Sequence, residues 1–227
     1  FIPVLRSAVA DLSWLQGRGY SDPAALKLVG DHYQLTVRQR LAVQRSSCSD
    51  ASLALRREHA VPREAIRGKP VSIDGYNLLI TLESAFSGGI LLWGRDSAVR
   101  DLASLHGSYR IVSETVPVIM MAGAGLEAMG ASEVHWLLDA PVSNSGRLAT
   151  ILRQEAKDSG LPWEVFVLPN PDPVLAESGD IVVSSDSWIL DRAACWANLA
   201  LWILLDAVMA PDLLNLAPDL QEIKFHK

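Results

Sequence analysis

The sequence predicts an α/β protein, a mostly parallel sheet with helices on both faces, preceded by a small all-helical module. Three observations lead to this prediction. Short apolar runs alternate with stretches of helical spacing after residue 67, residues 1 to about 60 keep helical spacing throughout, and 49% of the 227 residues are hydrophobic, which is enough for a large core. We therefore divide the chain into a helical module, 1–66, and an α/β domain, 67–227.

The helical module is predicted from its turns and caps. A first amphipathic segment runs to Leu15, and a glycine-containing turn follows at 17–22. Asp22 is placed to cap the next helix, with Pro23 at its first helical position. A module this small is expected to complete its core against the rest of the chain. Residues 60–70, AVPREAIRGKP, contain two prolines and a glycine, as is typical of a connector.

The α/β domain is predicted from alternating patterns. β-branched and apolar runs bounded by turn residues indicate strands, whereas apolar residues at helical spacing indicate helices. Strands are predicted at 69–74, 90–93, 133–139, 163–168 and 180–184. Helices are predicted at 76–86, 96–105, 114–128, 145–158 and 187–209.

Three of these strands end in an aspartate. Asp74 follows the first strand, Asp139 ends VHWLLD, and Asp186 follows DIVVSS. The carboxyl ends of parallel strands meet at one edge of a sheet, where ligands bind in such folds. Carboxylates gathered there repel one another unless a cation lies among them, and oxygen ligands without a Cys or His cluster favour Mg²⁺ or Mn²⁺. Each aspartate alone has a second interpretation, as the cap of the following helix.

Two motifs resemble those of a known family. IDGYN (73–77) resembles the first-strand motif of the PIN-like ribonuclease superfamily, in particular its NYN branch, in which an Asp followed closely by an Asn opens the acidic site. SSDSWILD (184–191) is similar to the late strand-end motif of that superfamily. The resemblance implies that Asp74, Asp139 and Asp186 are metal ligands and catalytic residues, and that Asn77 orients the first of them.

The resemblance to the PIN-like superfamily covers residues 67–227 and leaves a fourth acid open. Glu83, Glu114 and Asp191 are the candidates. Nearly the whole chain, with its helical front part and PVSNSGR (141–147), also resembles an uncharacterised prokaryotic family known as domains of unknown function.

PVSNSGR is predicted to open a helix and to contact substrate. Free N–H groups at a helix start bind anions, and an arginine can hold a phosphate through two hydrogen bonds. The candidate substrate-binding residues here are Ser143, Asn144, Ser145 and Arg147, beside Asn77. A cap after a proline turn explains the same residues structurally. In the helical module, Arg38, Arg40 and Arg45 suit phosphate contacts, with a solvated basic face as the alternative.

The charge distribution and the apolar segments indicate which partners and which location to expect. Residues 1–66 contain nine basic and six acidic residues, whereas 67–227 contain eleven basic and twenty acidic ones. Such a division suits a protein that grips a polyanion with one part and holds a metal with the other. Polar and charged residues flank or interrupt the apolar run 196–209, namely Asp191, Arg192, Asn198 and Asp206. We therefore expect no membrane span, but a buried helix or a homodimer interface. Cytoplasmic location is the default expectation.

The aromatic residues and cysteines are given structural roles. Cys48 and Cys195 form no pattern with histidine that resembles a zinc site. Six tryptophans lie mostly on apolar elements and are expected in the core rather than as base-stacking surfaces: Trp93, Trp136, Trp163, Trp188, Trp196 and Trp202.

The sequence therefore predicts a nuclease that needs Mg²⁺ or Mn²⁺, with RNA as its expected substrate. Two alternatives stay open. One is a non-catalytic module that binds nucleic acid or a partner on a degenerate nuclease fold. The other is a phosphohydrolase of small molecules, which needs a closed pocket instead of an open groove.

Overall fold

Four helices form the N-terminal part of the chain. The computed structural model describes residues 1–103, 107–207 and 212–217. Within them, the module consists of α1 (Ile2–Gly17), α2 (Asp22–His32), α3 (Val37–Ser46) and α4 (Asp50–His59). Helix α3 begins at a capping box, in which the Thr36 hydroxyl accepts from the Gln39 backbone N–H and the Gln39 side chain accepts from the Thr36 N–H. The predicted helical module is thus present.

The core of the helical module is shared with the rest of the chain. Buried residues from α1, α2 and α3, among them Leu12 and Val43, form one cluster with Leu92 and Leu216. The last two residues come from far along the sequence. The expectation that the module leans on the following domain for its core is therefore confirmed.

The second part of the chain contains a four-stranded parallel sheet. Its strands run in the order β5-β4-β1-β6. A second, three-stranded sheet has the order β3-β2-β7. The strands are β1 (Pro70–Asp74), β2 (Leu91–Trp93), β3 (Val99–Arg100), β4 (Glu133–Asp139), β5 (Trp163–Leu168), β6 (Ile181–Val183) and β7 (Leu213–Asn215).

Helices cover both faces of the four-stranded sheet, which confirms the predicted fold class. Along β4, Trp136 and Leu138 belong to the large core with α5, α6 and α7, whereas Leu137 on the opposite face packs with residues of α8 and α9. The helices of this part are α5 (Gly75–Phe86), α6 (Thr115–Met129), α7 (Ser145–Ser159), α8 (Asp172–Ala176), α9 (Ser187–Leu190) and α10 (Leu199–Asp206).

The helix predicted at 96–105 is wrong. Residues 94–98 form a turn, in which the Gly94 N–H donates to the Ala98 carbonyl and Ser97 takes a positive φ of 68°. The chain then continues as β3, antiparallel to β2. A two-residue strand carries too few side chains to show a period of two, so the pattern was ambiguous. Residues 104–106 lie outside the described residues.

The helix predicted at 187–209 is interrupted. It consists of α9 and α10, and the segment between them runs beside β6, where Val182 exchanges backbone hydrogen bonds with Cys195 and Ala197. Trp196 also exchanges backbone hydrogen bonds with His59 and Val61, which joins the segment to the end of the helical module. Residues 208 and 209 lie outside the described part of the chain.

Helix α10 packs within the chain against α5 and α6. Leu199, Ile203 and Leu204 are buried in this packing, as expected for a buried helix. In the described residues, no helix has the length and apolar character needed to cross a bilayer.

Candidate acidic site at the sheet edge

The sheet has its switch point between β1 and β6. From β1 the chain adds β4 and then β5 on one side, and β6 returns to the other side of β1. In open parallel sheets such a reversal leaves a crevice at the carboxyl ends of the strands. A cavity of about 740 Å³ lies there, and Asp74, Asp139 and Asp186 all contribute to its wall. The three aspartates predicted from the strand ends thus line one cavity.

Asp74 lies at the centre of the sheet edge and is almost fully buried. Its carboxylate accepts from the Ser184 hydroxyl at 2.8 Å and from the Asn77 backbone N–H at 3.4 Å, so it also caps α5. Burial raises the pKa of Asp74 to about 7 against the hydrogen bond from Ser184, and the charges of Asp186 and Asp172 add to the rise. The carboxyl group of Asp74 is therefore poised to exchange a proton near neutral pH.

Asn77 fixes the end of β6 against the start of α5. Its side-chain oxygen accepts from the backbone N–H of Ser185 at 2.8 Å and from the Ser185 hydroxyl at 3.0 Å. These bonds draw the turn that carries Asp186 towards Asp74. Asn77 therefore contacts Asp74 through its backbone N–H, while its side chain holds Ser185, and Asn77 itself lines the cavity.

Gly75 lets Asp74 approach the neighbouring strand closely. A Cβ atom at Gly75 would lie 2.5 Å from Cδ2 of Leu138 and 3.0 Å from the carbonyl oxygen of Leu137. A side chain there would require the Leu138 side chain to move and would crowd the backbone of β4 at Leu137. The glycine of IDGYN is thus required by the packing of α5 on the strand that delivers Asp139.

Asp139 and Asp186 differ in their local roles. Asp186 is exposed and caps α9, accepting from the backbone N–H groups of Trp188 and Ile189. Asp139 is partly buried, and burial raises its pKa. Helix capping and cavity lining therefore coexist at Asp74 and Asp186, so the two interpretations of the strand-end acids do not exclude each other.

A fourth aspartate, Asp172, lines the same cavity and was missed by the sequence analysis. It begins α8, four residues after the end of β5, and thus follows the one strand of this sheet that had no assigned acid. Burial raises its pKa first, and the charges of Asp186 and Asp139 raise it further. The signal was the run PNPD (169–172) after a predicted strand, but two prolines separate the acid from the strand end.

The three earlier candidates for a fourth acid have other positions. Glu83 is buried inside the domain, where it accepts from the Tyr109 hydroxyl and, at 2.5 Å, from the Thr115 hydroxyl. Glu114 precedes α6 and accepts from the Ser113 hydroxyl. Asp191 does line the cavity, but its carboxylate is paired with Arg56. Of these acids, only Asp191 shares the cavity, and a cation already neutralises it.

The four strand-end carboxylates fit a hard divalent cation in chemical kind. They offer oxygen ligands only, and neighbouring carboxylates add to the rise in pKa that burial causes at Asp74 and at Asp172. Among the described residues, no three side chains of His, Cys, Asp or Glu come together closely enough to ligate one ion. Since Mg²⁺ usually keeps several waters and takes one or two carboxylates, the donor set still suits it.

The helical module supplies one wall of the cavity. Helices α3 and α4 contribute residues that include Gln44, Arg45, Ser52 and Arg56. Arg45 donates to the carboxylate of Asp101 at 3.1 Å and to its backbone carbonyl at 2.7 Å. The site therefore lies between the two parts of the chain, and Arg45 is already committed to a carboxylate.

A buried cluster of Arg56, Asp96 and Arg100 holds the turn that carries Asp186. We call it the Arg–Asp–Arg clamp. Arg56 donates to Asp96 at 2.6 Å and to the carbonyl of Ser187 at 3.2 Å, while Arg100 donates to both oxygens of Asp96 and to the carbonyl of Ser185 at 2.8 Å. Although burial opposes it, the guanidinium groups of Arg100 and Arg56 lower the pKa of Asp96 to about 2.

The PVSNSGR loop lies outside the cavity lining. Asn144 has a positive φ of 68° and donates its side-chain amide to the carbonyl of Tyr109, so its side chain is used to hold the loop. Ser145 is buried beside Tyr76, which lines the cavity, and its hydroxyl donates to Ala140. Ser143 and Arg147 are exposed. Asn77 is thus the one predicted substrate-binding residue in the lining.

The other two arginines of the basic run lie away from the cavity lining. Arg40 bonds Asp31 at 2.8 Å and the carbonyls of Leu35 and Lys27. Arg38 is exposed on α3. The basic run RQRLAVQR therefore serves the fold of the module at Arg40 and Arg45, which leaves Arg38 as its solvated member.

Comparisons with known proteins place the chain in a family. A family model described as "Domain of unknown function (DUF5616)" matches residues 63–202, which include the four strand-end acids. The chain belongs to this family. A second model, described as "Protein of unknown function (DUF434)", matches residues 4–59 of the helical module. This DUF5616 member thus carries both segments, one on each side of the cavity.

One relative of this DUF5616 chain matches most of its length. The chain is 32% identical over 186 residues to an uncharacterized protein of Methanocaldococcus jannaschii, a match that spans 82% of this chain and 88% of that protein. No solved structure matches the chain. Because these descriptions name no activity, a proposal about function rests on the site itself.

Proposed function

We propose that this chain is a cytoplasmic metal-dependent nuclease that hydrolyses phosphodiesters, with RNA as the expected substrate. One observation carries the proposal, the convergence of four strand-end aspartates on one cavity at the switch point of a parallel sheet. The resemblance of IDGYN and SSDSWILD to PIN-like motifs supports the same activity. That resemblance assigns the metal to Asp74, Asp139 and Asp186, and Asp172 lines the same cavity.

The chemistry of the site follows from its charges. A bound Mg²⁺ or Mn²⁺ would activate a water molecule and neutralise charge on the phosphate during in-line hydrolysis. Asp74 carries a proton up to about pH 7 in the metal-free protein, so it must release that proton when a cation enters. Asn77 and the Arg–Asp–Arg clamp hold the turn of Asp186 in place, so Asp186 needs no reordering of this turn to line the cavity.

The first test combines metal binding with cleavage. Calorimetry with Mn²⁺ is run on the wild type, on Asp74→Asn and on the control Asp180→Asn. Asp180 precedes β6 at the opposite end of the sheet and bonds Ser72 and His135. Wild type and control should bind Mn²⁺ and cleave labelled single-stranded RNA, and Asp74→Asn should do neither. Unchanged turnover in Asp74→Asn would rule out the role of Asp74, and a wild type that binds RNA without Mn²⁺ binding or cleavage would identify a non-catalytic binding module.

A small-molecule phosphohydrolase is the second candidate, favoured by the wall that the helical module adds. A cavity of about 740 Å³ is in the size range of small-ligand pockets. Turnover of a phosphate monoester, with no cleavage of RNA or DNA under the same conditions, would favour this candidate over the nuclease.

A further inference from the structure

One tryptophan is exposed next to a residue that lines the acidic cavity, instead of lying in the core. Trp188 was expected to be buried, but it is 44% exposed to solvent. It lies on the short helix α9 directly after Ser187. Ser187 and Asp191 line the cavity and Ile189 and Leu190 are buried, whereas Trp188 and Arg192, which follows the end of α9, are exposed. Trp188 and Arg192 are thus each the next residue along the chain after one that lines the cavity.

Arg192 is held on the tryptophan ring. Its guanidinium carbon lies 4.1 Å from the ring centroid of Trp188, and Nη1 donates to the Trp188 carbonyl at 3.0 Å. No carboxylate pairs with Arg192 among the described residues. The cavity-lining arginines differ in this respect, because Arg45, Arg56 and Arg100 each bind an aspartate. Arg192 is therefore a cation beside the site whose charge is available to a ligand.

We propose that Trp188 and Arg192 form a platform that binds an unpaired base and a neighbouring phosphate of a single-stranded nucleic acid. The proposal rests on the proposed function, whose substrate it narrows to single strands. An exposed indole stacks on bases of any sequence, and a guanidinium group binds phosphate. Bases in a duplex are already stacked on each other, so a duplex would not reach the ring.

The charge of the cavity explains why such a platform is needed. The strand-end acids repel a phosphate backbone, and the arginines in the lining are already neutralised. The platform lies outside that lining and would attract a nucleic-acid strand whether or not the divalent metal ion is bound. Affinity for a single strand should therefore depend on Trp188 and Arg192 through contacts separate from those made at the metal.

The test measures binding and cleavage of the same labelled oligonucleotides. Initial fluorescence anisotropy in Mg²⁺ gives affinity for single-stranded RNA, single-stranded DNA of the same sequence, an abasic strand and a duplex, and gels of the same samples give cleavage. The variants are Trp188→Ala, Trp188→Phe and Arg192→Gln. Trp14→Ala is the matched control, because Trp14 on α1 is 57% exposed and has Arg18 over its ring at 4.6 Å, but it lies outside the cavity lining.

We expect Trp188→Ala to weaken single-strand binding by about tenfold or more, as loss of one stacked base does. Trp188→Phe should keep most of the affinity, Arg192→Gln should weaken binding and flatten its salt dependence, and Trp14→Ala should change nothing. The abasic strand and the duplex should bind the wild type weakly. Equal loss in Trp14→Ala and Trp188→Ala, or duplex binding as tight as single-strand binding, would overturn the platform.

The two proposals fail in different ways. If the wild type cleaves and Trp188→Ala binds single strands as tightly as the wild type does, the platform is wrong and the nuclease stands. If Trp188→Ala loses binding while the wild type cleaves neither RNA nor DNA, the platform proposal holds, and the protein is a non-catalytic binding module instead of a nuclease. Tighter binding of RNA than of DNA by the wild type and by Trp188→Ala alike would place sugar recognition elsewhere in the site.

Discussion

Arg56 and Arg100 bind the same carboxylate, that of Asp96, and each donates to a backbone carbonyl next to Asp186. The two arginines come from different parts of the chain, Arg56 from α4 and Arg100 from β3. Because the carbonyls of Ser187 and Ser185 are both held, the position of Asp186 depends on the helical module as well as on the sheet.

Removing Arg56 should strongly destabilise the protein. Arg56→Met leaves Asp96 with Arg100 alone and leaves Asp191 without its cation, and breaking such a buried pair costs about 3–5 kcal/mol in free energy of unfolding. Urea unfolding measures the difference. Arg63→Met is the control, because its pair with Asp206 is exposed and is expected to contribute about 1 kcal/mol or less. Equal losses in the two variants would show that the clamp adds no more than a surface ion pair.

Asp172 should act with the three acids assigned from the sequence. Asp172→Asn removes a carboxylate that lines the cavity and whose charge raises the pKa of Asp74, so Mn²⁺ affinity by calorimetry should fall by about tenfold or more. Glu114→Gln changes an acid outside the cavity lining and should leave Mn²⁺ affinity unchanged. If the two variants bind Mn²⁺ as the wild type does, Asp172 has no part in holding the ion.

The buried carboxyl group of Asp74 should give the metal-free protein a pH-dependent stability. Its pKa of about 7 in the folded state lies above the ordinary value of 3.8, so the folded protein keeps a proton that the unfolded chain releases. The contribution of Asp74 to the free energy of unfolding is fully present below about pH 4 and is lost as the pH rises to about 7. Asp74→Asn cannot ionise, so in EDTA its stability relative to the wild type should rise by up to about 4 kcal/mol between these limits. Parallel pH profiles by urea unfolding would contradict the assignment.

The glycine of IDGYN should tolerate no side chain. Gly75→Ala places a methyl group 2.5 Å from Leu138 and 3.0 Å from the carbonyl of Leu137, and such overpacking costs about 1–3 kcal/mol. Gly146→Ala is a matched control, since no atom lies within 4 Å of a Cβ at Gly146. Thermal unfolding should show a lower midpoint for Gly75→Ala alone, and equal midpoints would mean that β4 moves aside freely.

The sheet and its first acids could be predicted because their signals are local. Strands β1 and β4 are buried apolar runs, and each ends directly in an aspartate, so composition and position coincide. Asp172 escaped prediction because Asn170 and two prolines separate it from β5. The interruption of 187–209 escaped because Cys195 and Trp196 are apolar, whether they lie in a helix or beside β6.

The pairing of the arginines around the site could not be predicted from the sequence. Arg56 is 135 residues from Asp191, and no local pattern links them. On α4 the residue looks like a surface arginine, yet it is buried because the α/β domain covers it. Contacts between distant segments thus determined which arginines are paired and which, like Arg192, remain available.

Asp96 pairs with one arginine from each segment, so a change in either segment affects the other. A substitution on α4 that removes Arg56 leaves buried negative charge in the other segment, and a substitution of Asp96 leaves two buried cations, one in each segment. The two regions that match separate family models therefore share one buried charge cluster, and a helical module without an arginine at position 56 would leave Asp191 unpaired and Asp96 with one cation instead of two.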